Sequence, residues 1–125
     1  YVTTESFLCG VAIGSLATAI LVVNNLRDAD IDVKTGKKTL AVIFGILFSK
    51  LEYSLLISIP FAVPIFLYFQ LSKLSICLPI FLLPMGGHLI SVILIKTGTE
   101  LNLLLVQTAR FLVLYATLLS IGLIL

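Results

Sequence analysis

Asn24, Asp28 and Asp32 recur every fourth residue in the stretch NNLRDADIDVKTGKK. On a continuous helix that spacing stacks one amide and two carboxylates along a single face, while Asp30 points elsewhere. Such a stripe suits a hard divalent cation. Mg²⁺ accepts one or two carboxylates and fills the rest of its shell with waters and phosphate oxygens. The ligand expected at Asp28 and Asp32 is therefore a phosphorylated one. Lys34, Lys37 and Lys38 follow directly and supply cations that neutralise phosphate, and Gly36 among them lets the backbone turn sharply.

Other chemistries fit this stretch less well. As an EF-hand loop, Asp28, Asp30 and Asp32 match the first three ligands, but Val33 stands where glycine is required and Thr39 where a bidentate glutamate belongs. As a phosphate-binding P-loop, Gly36, Lys37 and Lys38 lack both the upstream glycine and the hydroxyl after the lysine. A solvated loop whose charges only fix membrane topology remains open. The Asn24 and Asn25 pair weighs against it, because two amides ending an apolar run cost free energy unless partnered.

The surrounding elements are membrane helices by composition. Hydrophobic residues make up 60% of the 125 and charged ones 11%, against about 25% charged in a soluble domain. An all-α, polytopic transmembrane bundle is expected, with about four spans at residues 6–26, 53–70, 74–95 and 111–125. Closed barrels would need alternating strands, and these runs do not alternate. With four spans, Arg27, Lys34, Lys37, Lys38, Lys50, Lys96 and Arg110 fall on one side and Lys73 on the other. That bias orients the aspartate-rich loop to the cytoplasm and both termini outward. Tyr53 and Tyr68 sit where interfacial aromatic belts are expected. The net charge of +2 and the absence of basic-aromatic interleaving argue against nucleic acid as a partner.

Residues 24–45 resemble the second aspartate-rich motif of the UbiA superfamily of intramembrane prenyltransferases. The resemblance is closest to the menaquinone-forming branch, which prenylates 1,4-dihydroxy-2-naphthoate. That branch has the pattern NNxRDxxxDxxxGKxTLAVxxG, and Asn24, Asn25, Arg27, Asp28, Asp32, Gly36, Lys37, Thr39, Leu40, Ala41, Val42 and Gly45 fall in register. Leu101, Asn102, Leu104, Leu105, Thr108, Ala109 and Arg110 resemble its LNxLLxxTAR segment. Ile43 and Phe44 depart from the arginine and leucine common before the last glycine.

The resemblance implies an integral protein of the bacterial inner membrane that binds an isoprenyl diphosphate through Mg²⁺. Asp28 and Asp32 are its metal-holding and catalytic residues, Asn24, Asn25 and Arg27 shape the diphosphate site, and Lys34 and Lys37 contact phosphate. The acceptor is an aromatic ring, and for this branch naphthoate loses its carboxylate as demethylmenaquinone forms. Residues 1–125 correspond to the C-terminal half of such a domain. The first motif, resembling NDxxDxxxD, lies in a missing N-terminal half, so the chain is expected to be a fragment and inactive by itself. A split enzyme assembled from two chains is the variant of this reading. Two others stay open: a related prenyltransferase acting on 4-hydroxybenzoate or homogentisate, and a non-catalytic cation-binding membrane subunit. The last would place ionisable residues along a path through the membrane, and only His88 is expected at depth.

Weaker signals remain. Residues 39–48 are expected to form a short helix over the site, closing near Gly45. Pro60, Pro64, Pro79 and Pro84 are expected to kink or interrupt their spans. Gly86 and Gly87 suggest close helix packing, and His88 is either functional or a neutral histidine bonded to a neighbouring helix. Glu100, Asn102, Gln107 and Arg110 are placed at the entrance to the last span, where they pair structurally or help close the site. Cys9 and Cys77 fit no zinc or redox pattern and are read as buried packing, a disulfide between them being a conceivable alternative.

Overall fold

In the computed structural model, which describes residues 1–125, every apolar run is helical and no strand is present. Helix α1 covers Thr4–Arg27, α2 Ala29–Thr35, α3 Leu40–Phe44 and α4 Ile46–Leu71. A 3₁₀ segment, Leu74–Leu82, leads into α5, Leu83–Ile95, and a short 3₁₀ turn, Gly98–Glu100, precedes α6, Leu101–Ile124. Four spans are long and apolar enough to cross a membrane: α1, α4, the combined segment Leu74–Ile95 and Gly98–Ile124. The first helix starts on a capping box. The Thr3 hydroxyl accepts from the Ser6 N–H at 3.2 Å, and the Ser6 hydroxyl accepts from the Thr3 N–H at 3.0 Å.

Three boundaries differ from those read off the sequence. The second span begins at Ile46, not residue 53, because Gly45 takes φ +91° and closes α3 at Phe44. Only a residue without Cβ adopts that backbone cheaply. The last span begins at Leu101, not residue 111. Its inward stripe of Leu101, Leu104, Thr108, Phe111 and Tyr115 is buried without interruption, so one packed face carries the helix through the polar residues on its other side. The third span is not α-helical throughout, since its first nine residues are 3₁₀. Pro79 lacks the N–H that an α-helix would direct to residue 75, and Pro84 opens α5 in its first turn.

The spans form a square in which α1 and the third span each lie between α4 and α6. The core holds Leu16, Ile57, Leu67, Ile76, Leu89, Phe111 and two tyrosines, all fully buried. Across the α4–α6 diagonal, the Tyr53 and Thr108 hydroxyls are 2.7 Å apart, and the Tyr115 hydroxyl donates to the Pro60 carbonyl at 2.6 Å. Tyr53 is thus a core pin and not the interfacial belt residue expected; Tyr68 is exposed. The second bond repairs a defect. Pro64 has no N–H for the carbonyl four residues before it, so Pro60 would carry an unpaired acceptor in an apolar interior. With that carbonyl satisfied, α4 runs through both prolines without the interruption that was one of the two outcomes expected, a kink being the other.

Small residues set the tightest approaches. A Cβ at Gly86 would press on the Phe61 ring, and one at Gly122 would run into the Ser75 backbone. Gly87 faces open space, so only one of the adjacent glycines serves packing. Cys9 and Cys77 are free thiols and half-buried. His88 is exposed on α5 and bonds no neighbouring helix, contrary to the structural alternative read from sequence.

Tyr115→Phe leaves the Pro60 carbonyl unpaired and should lower stability by about 1 kcal/mol. Gly122→Ala should cost more, because rigid backbone must move. Denaturant unfolding of the detergent-solubilised protein checks both.

Candidate functional site

The polar residues of α1 gather at the charged end of the bundle, where its last turn meets the first turn of α6. Asp28 ends α1 with φ −94° and ψ 3°, outside the helical range, so the helix breaks there instead of running on through Asp32. The backbone ladder nevertheless survives the break. Asp28 N–H donates to the Asn24 carbonyl at 3.2 Å and Asp32 N–H to the Asp28 carbonyl at 2.8 Å. The turn-by-turn order of Asn24, Asp28 and Asp32 is preserved in those bonds.

Arg27 organises one half of the site. Its Nε and Nη2 donate to the two oxygens of Asp28 at 2.8 and 3.0 Å, a bidentate pair. Nη2 also reaches the Asn24 amide oxygen at 2.8 Å, and Nη1 reaches that of Asn102 at 3.1 Å. These bonds use four of the five N–H donors a guanidinium has. They fix Asp28 in orientation and tie α1 to α6. The hydrogen bond from Arg27 holds the Asp28 carboxyl below the usual carboxylate range, outweighing the opposite effect of partial desolvation.

Asp32 is the other half and is differently placed. It is 6% exposed, on a short helix packed against α1 and α3. Its Oδ2 is buried and accepts no hydrogen bond. The nearest cation is the Lys37 ammonium at 3.8 Å, beyond hydrogen-bond range. Lys37 is brought back toward it by Gly36, which takes φ +75°, and by a bond from the Lys37 N–H to the Asp32 carbonyl at 2.9 Å. A buried carboxylate oxygen without a donor is costly and uncommon, and an ion is one of the few things that account for it.

The structure therefore brings together Asn24, Arg27 and Asp28, and pairs Asp32 with Lys37. It does not bring in all the others. Asn25 lines a separate small cavity of about 50 Å³ with Thr18, Ser49 and Glu52, on the side of α1 facing α3 and α4. Lys34 is exposed and makes no ion pair. Asn102, read from sequence only as a residue of the last span's entrance, joins the site directly through Arg27. Arg110, placed with it at that entrance, lies in the third turn of α6, exposed and without an ion pair.

No three His, Cys, Asp or Glu side chains gather into a closed metal cage. The unpartnered Asp32 oxygen is a donor of the kind that Mg²⁺ takes, one or two carboxylates being its usual protein ligands with waters and phosphate completing the shell.

Comparison with known proteins agrees with these features. The model of the UbiA prenyltransferase family matches residues 1–102. A 1,4-dihydroxy-2-naphthoate octaprenyltransferase of Haemophilus influenzae is 32% identical over 127 residues, covering 98% of this chain and 41% of that protein. The chain thus spans well under half the length of that relative. No solved structure matches the chain.

Because Asp28 is more acidic folded than unfolded, its contribution to stability is complete above the ordinary carboxylate value of 3.8. That contribution is lost as pH falls through the lowered one. Arg27→Gln should return Asp28 to the ordinary range, as followed by a carboxyl-carbon NMR titration, and should weaken the α1–α6 junction.

Proposed function

The chain belongs to the UbiA prenyltransferase family, and from that premise we propose that it forms part of an integral membrane enzyme transferring an isoprenyl group to an aromatic ring. The donor is an isoprenyl diphosphate. The acceptor proposed is 1,4-dihydroxy-2-naphthoate, which loses its carboxylate as the demethylmenaquinone skeleton forms; the relative from H. influenzae carries that substrate in its name. A second aspartate-rich region outside these 125 residues completes the site on this reading. The charged end of the bundle faces the cytoplasm of a bacterial cell, as the distribution of lysine and arginine favours.

The observation that carries the proposal is the buried Asp32 oxygen without a donor, set one backbone-bonded turn from an Asp28 that Arg27 clamps in place. Asp28 and Asp32 would hold Mg²⁺, whose chemistry there is to offset the charge that develops on a departing diphosphate. The other roles fall to side chains of the chain itself. Lys37, already within 3.8 Å of Asp32, would meet a phosphate oxygen beside it as a point charge; Lys34, exposed and outside that pair, is proposed as a second phosphate contact. Arg27 is so heavily engaged that its role is to orient Asp28, with Asn24 and Asn102 locking the guanidinium plane. Asn25 contributes indirectly, from the cavity behind α1. As the allylic carbon–oxygen bond lengthens, preorganised cations favour the leaving group without rearranging. The apolar helix faces below the site keep water from the carbon that is gaining positive character.

In the full-length enzyme, Asp28→Asn and Asp32→Asn should each lower Mg²⁺-dependent prenyl transfer by roughly 10²-fold or more, while the protein remains in the membrane. Transfer should be faster to the naphthoate acceptor than to 4-hydroxybenzoate or homogentisate. Near-normal rates in both variants would remove the carboxylates from the mechanism, and a preference for benzoate would replace the acceptor.

A further inference from the structure

Glu52 is an acid on a spanning helix that the site at Asp28 and Asp32 does not use. Because α4 begins at Ile46, Glu52 falls in the second turn of a membrane-crossing segment and not before it. A carboxylate there is costly unless a positive charge meets it, and no lysine or arginine of the chain pairs with it. Glu52 is half-buried and lines, with Thr18, Asn25 and Ser49, a cavity of about 50 Å³ between α1 and α4. Leu40 and Ala41 of α3 supply part of the wall, so three helices bound the space.

Oxygens converge on this cavity. Ser49 and Glu52 are neighbours on one face of α4, and Thr18 and Asn25 share a face of α1 two turns apart. Ser49 is only 1% exposed, yet its hydroxyl bonds nothing in the chain. Ser54 and Ser58, on the same helix, each return theirs to a carbonyl one turn back at 2.8 Å. The Asn25 amide and the Glu52 carboxylate are likewise unbonded, so three polar side chains border one cavity without reaching one another. Thr18 donates to the Gly14 carbonyl at 2.8 Å and keeps its lone pairs free to accept.

The donor set narrows the ligand. Carboxylate, amide and hydroxyl oxygens suit hard cations. Water alone would bridge the amide and the hydroxyl but leave the carboxylate's charge unmet. Ca²⁺ and Mg²⁺ draw on more acidic ligands or retained waters, and a single carboxylate leaves either with surplus charge in an apolar bundle. A monovalent ion is balanced by Glu52 outright. The cavity has room for such an ion with roughly one or two waters, and not for a full hydration shell. From this geometry we infer that Glu52, Asn25 and Ser49, with Thr18, form an alkali-cation site, and that its small size selects Na⁺ over K⁺. The ion ties α1 to α4 just ahead of Asp28 and is distinct from the Mg²⁺ proposed at Asp28 and Asp32.

The test is thermal unfolding of the full-length enzyme without isoprenyl diphosphate. Choline chloride replaces alkali salts at constant ionic strength, and a chelator keeps divalent ions from Asp28 and Asp32. NaCl should raise the melting temperature saturably, KCl more weakly, and choline chloride not at all. Glu52→Gln should abolish the Na⁺ response, and Ser49→Ala should move its midpoint to about 5-fold to 10-fold higher Na⁺. Should Glu52→Gln fail to fold, the midpoint of Ser49→Ala carries the same comparison. A wild-type protein that responds to neither Na⁺ nor K⁺ has only water in this cavity, and the assignment falls. It falls equally if the Na⁺ response persists in Glu52→Gln or keeps its midpoint in Ser49→Ala, since the ion then binds elsewhere. Either result leaves the prenyl-transfer reading untouched.

Discussion

Inside an apolar bundle there is no water to satisfy a polar group, so each must find its partner in the protein. Most of this chain obeys that constraint with few parts. Serine and threonine hydroxyls return to carbonyls one turn back, as Ser15 does to Ala12 at 2.8 Å and Thr108 to Leu104 at 2.7 Å. Two buried tyrosines reach across the diagonal, one of them to a carbonyl that a proline has left open. Ser75 donates to the Gly122 carbonyl at 2.8 Å, where the third span and α6 approach most closely. Against so complete a pairing, the single buried side-chain oxygen left without a donor stands out, and it belongs to Asp32.

The two carboxylates are held by opposite strategies. Asp28 is gripped through both oxygens by a neighbouring guanidinium, partly exposed and geometrically fixed. Asp32 is enclosed and only loosely attended by a lysine at the end of a flexible stem. A rigid acid beside an under-satisfied one gives a site both a reference point and an unmet demand for a cation. Arg27 supplies the rigidity, and through Asn102 it makes the aspartate-bearing turn depend on a helix 75 residues away in sequence.

The site's outline was legible because polar residues are conspicuous against an apolar background, and a period of four needs no tertiary information to be seen. The helical class was legible for the same reason, since length and composition decide it. What could not be read was which face each helix turns inward. Spans apolar on every side carry little periodic signal, so the Tyr53–Thr108 contact and the burial of Tyr53 had no mark in the pattern. Hydropathy also ended the last span's N-terminal half too soon. Asn102, Gln107 and Arg110 lower the local average, yet they occupy the face that the buried stripe from Leu101 to Tyr115 leaves free. Asn102 was visible as a polar residue, but its partner was not, because an α1–α6 hydrogen bond leaves no local trace. The break at Asp28 was hidden too, since spacing by four looks the same whether or not the helix is continuous.

The 3₁₀ stretch at Leu74–Leu82 has a dimensional consequence. A 3₁₀ turn advances about 2.0 Å per residue against 1.5 Å in an α-helix, so these nine residues stretch by about 4 Å more than their number would suggest. The 22-residue third span thereby approaches the reach of its 26-residue neighbour α4, and both can match one hydrocarbon thickness without thinning the bilayer. The threefold repeat also eclipses side chains at every third position, which is why Ile76 and Pro79 are the two that face inward. Tightening the coil, instead of adding residues, is how this segment meets the width of its solvent.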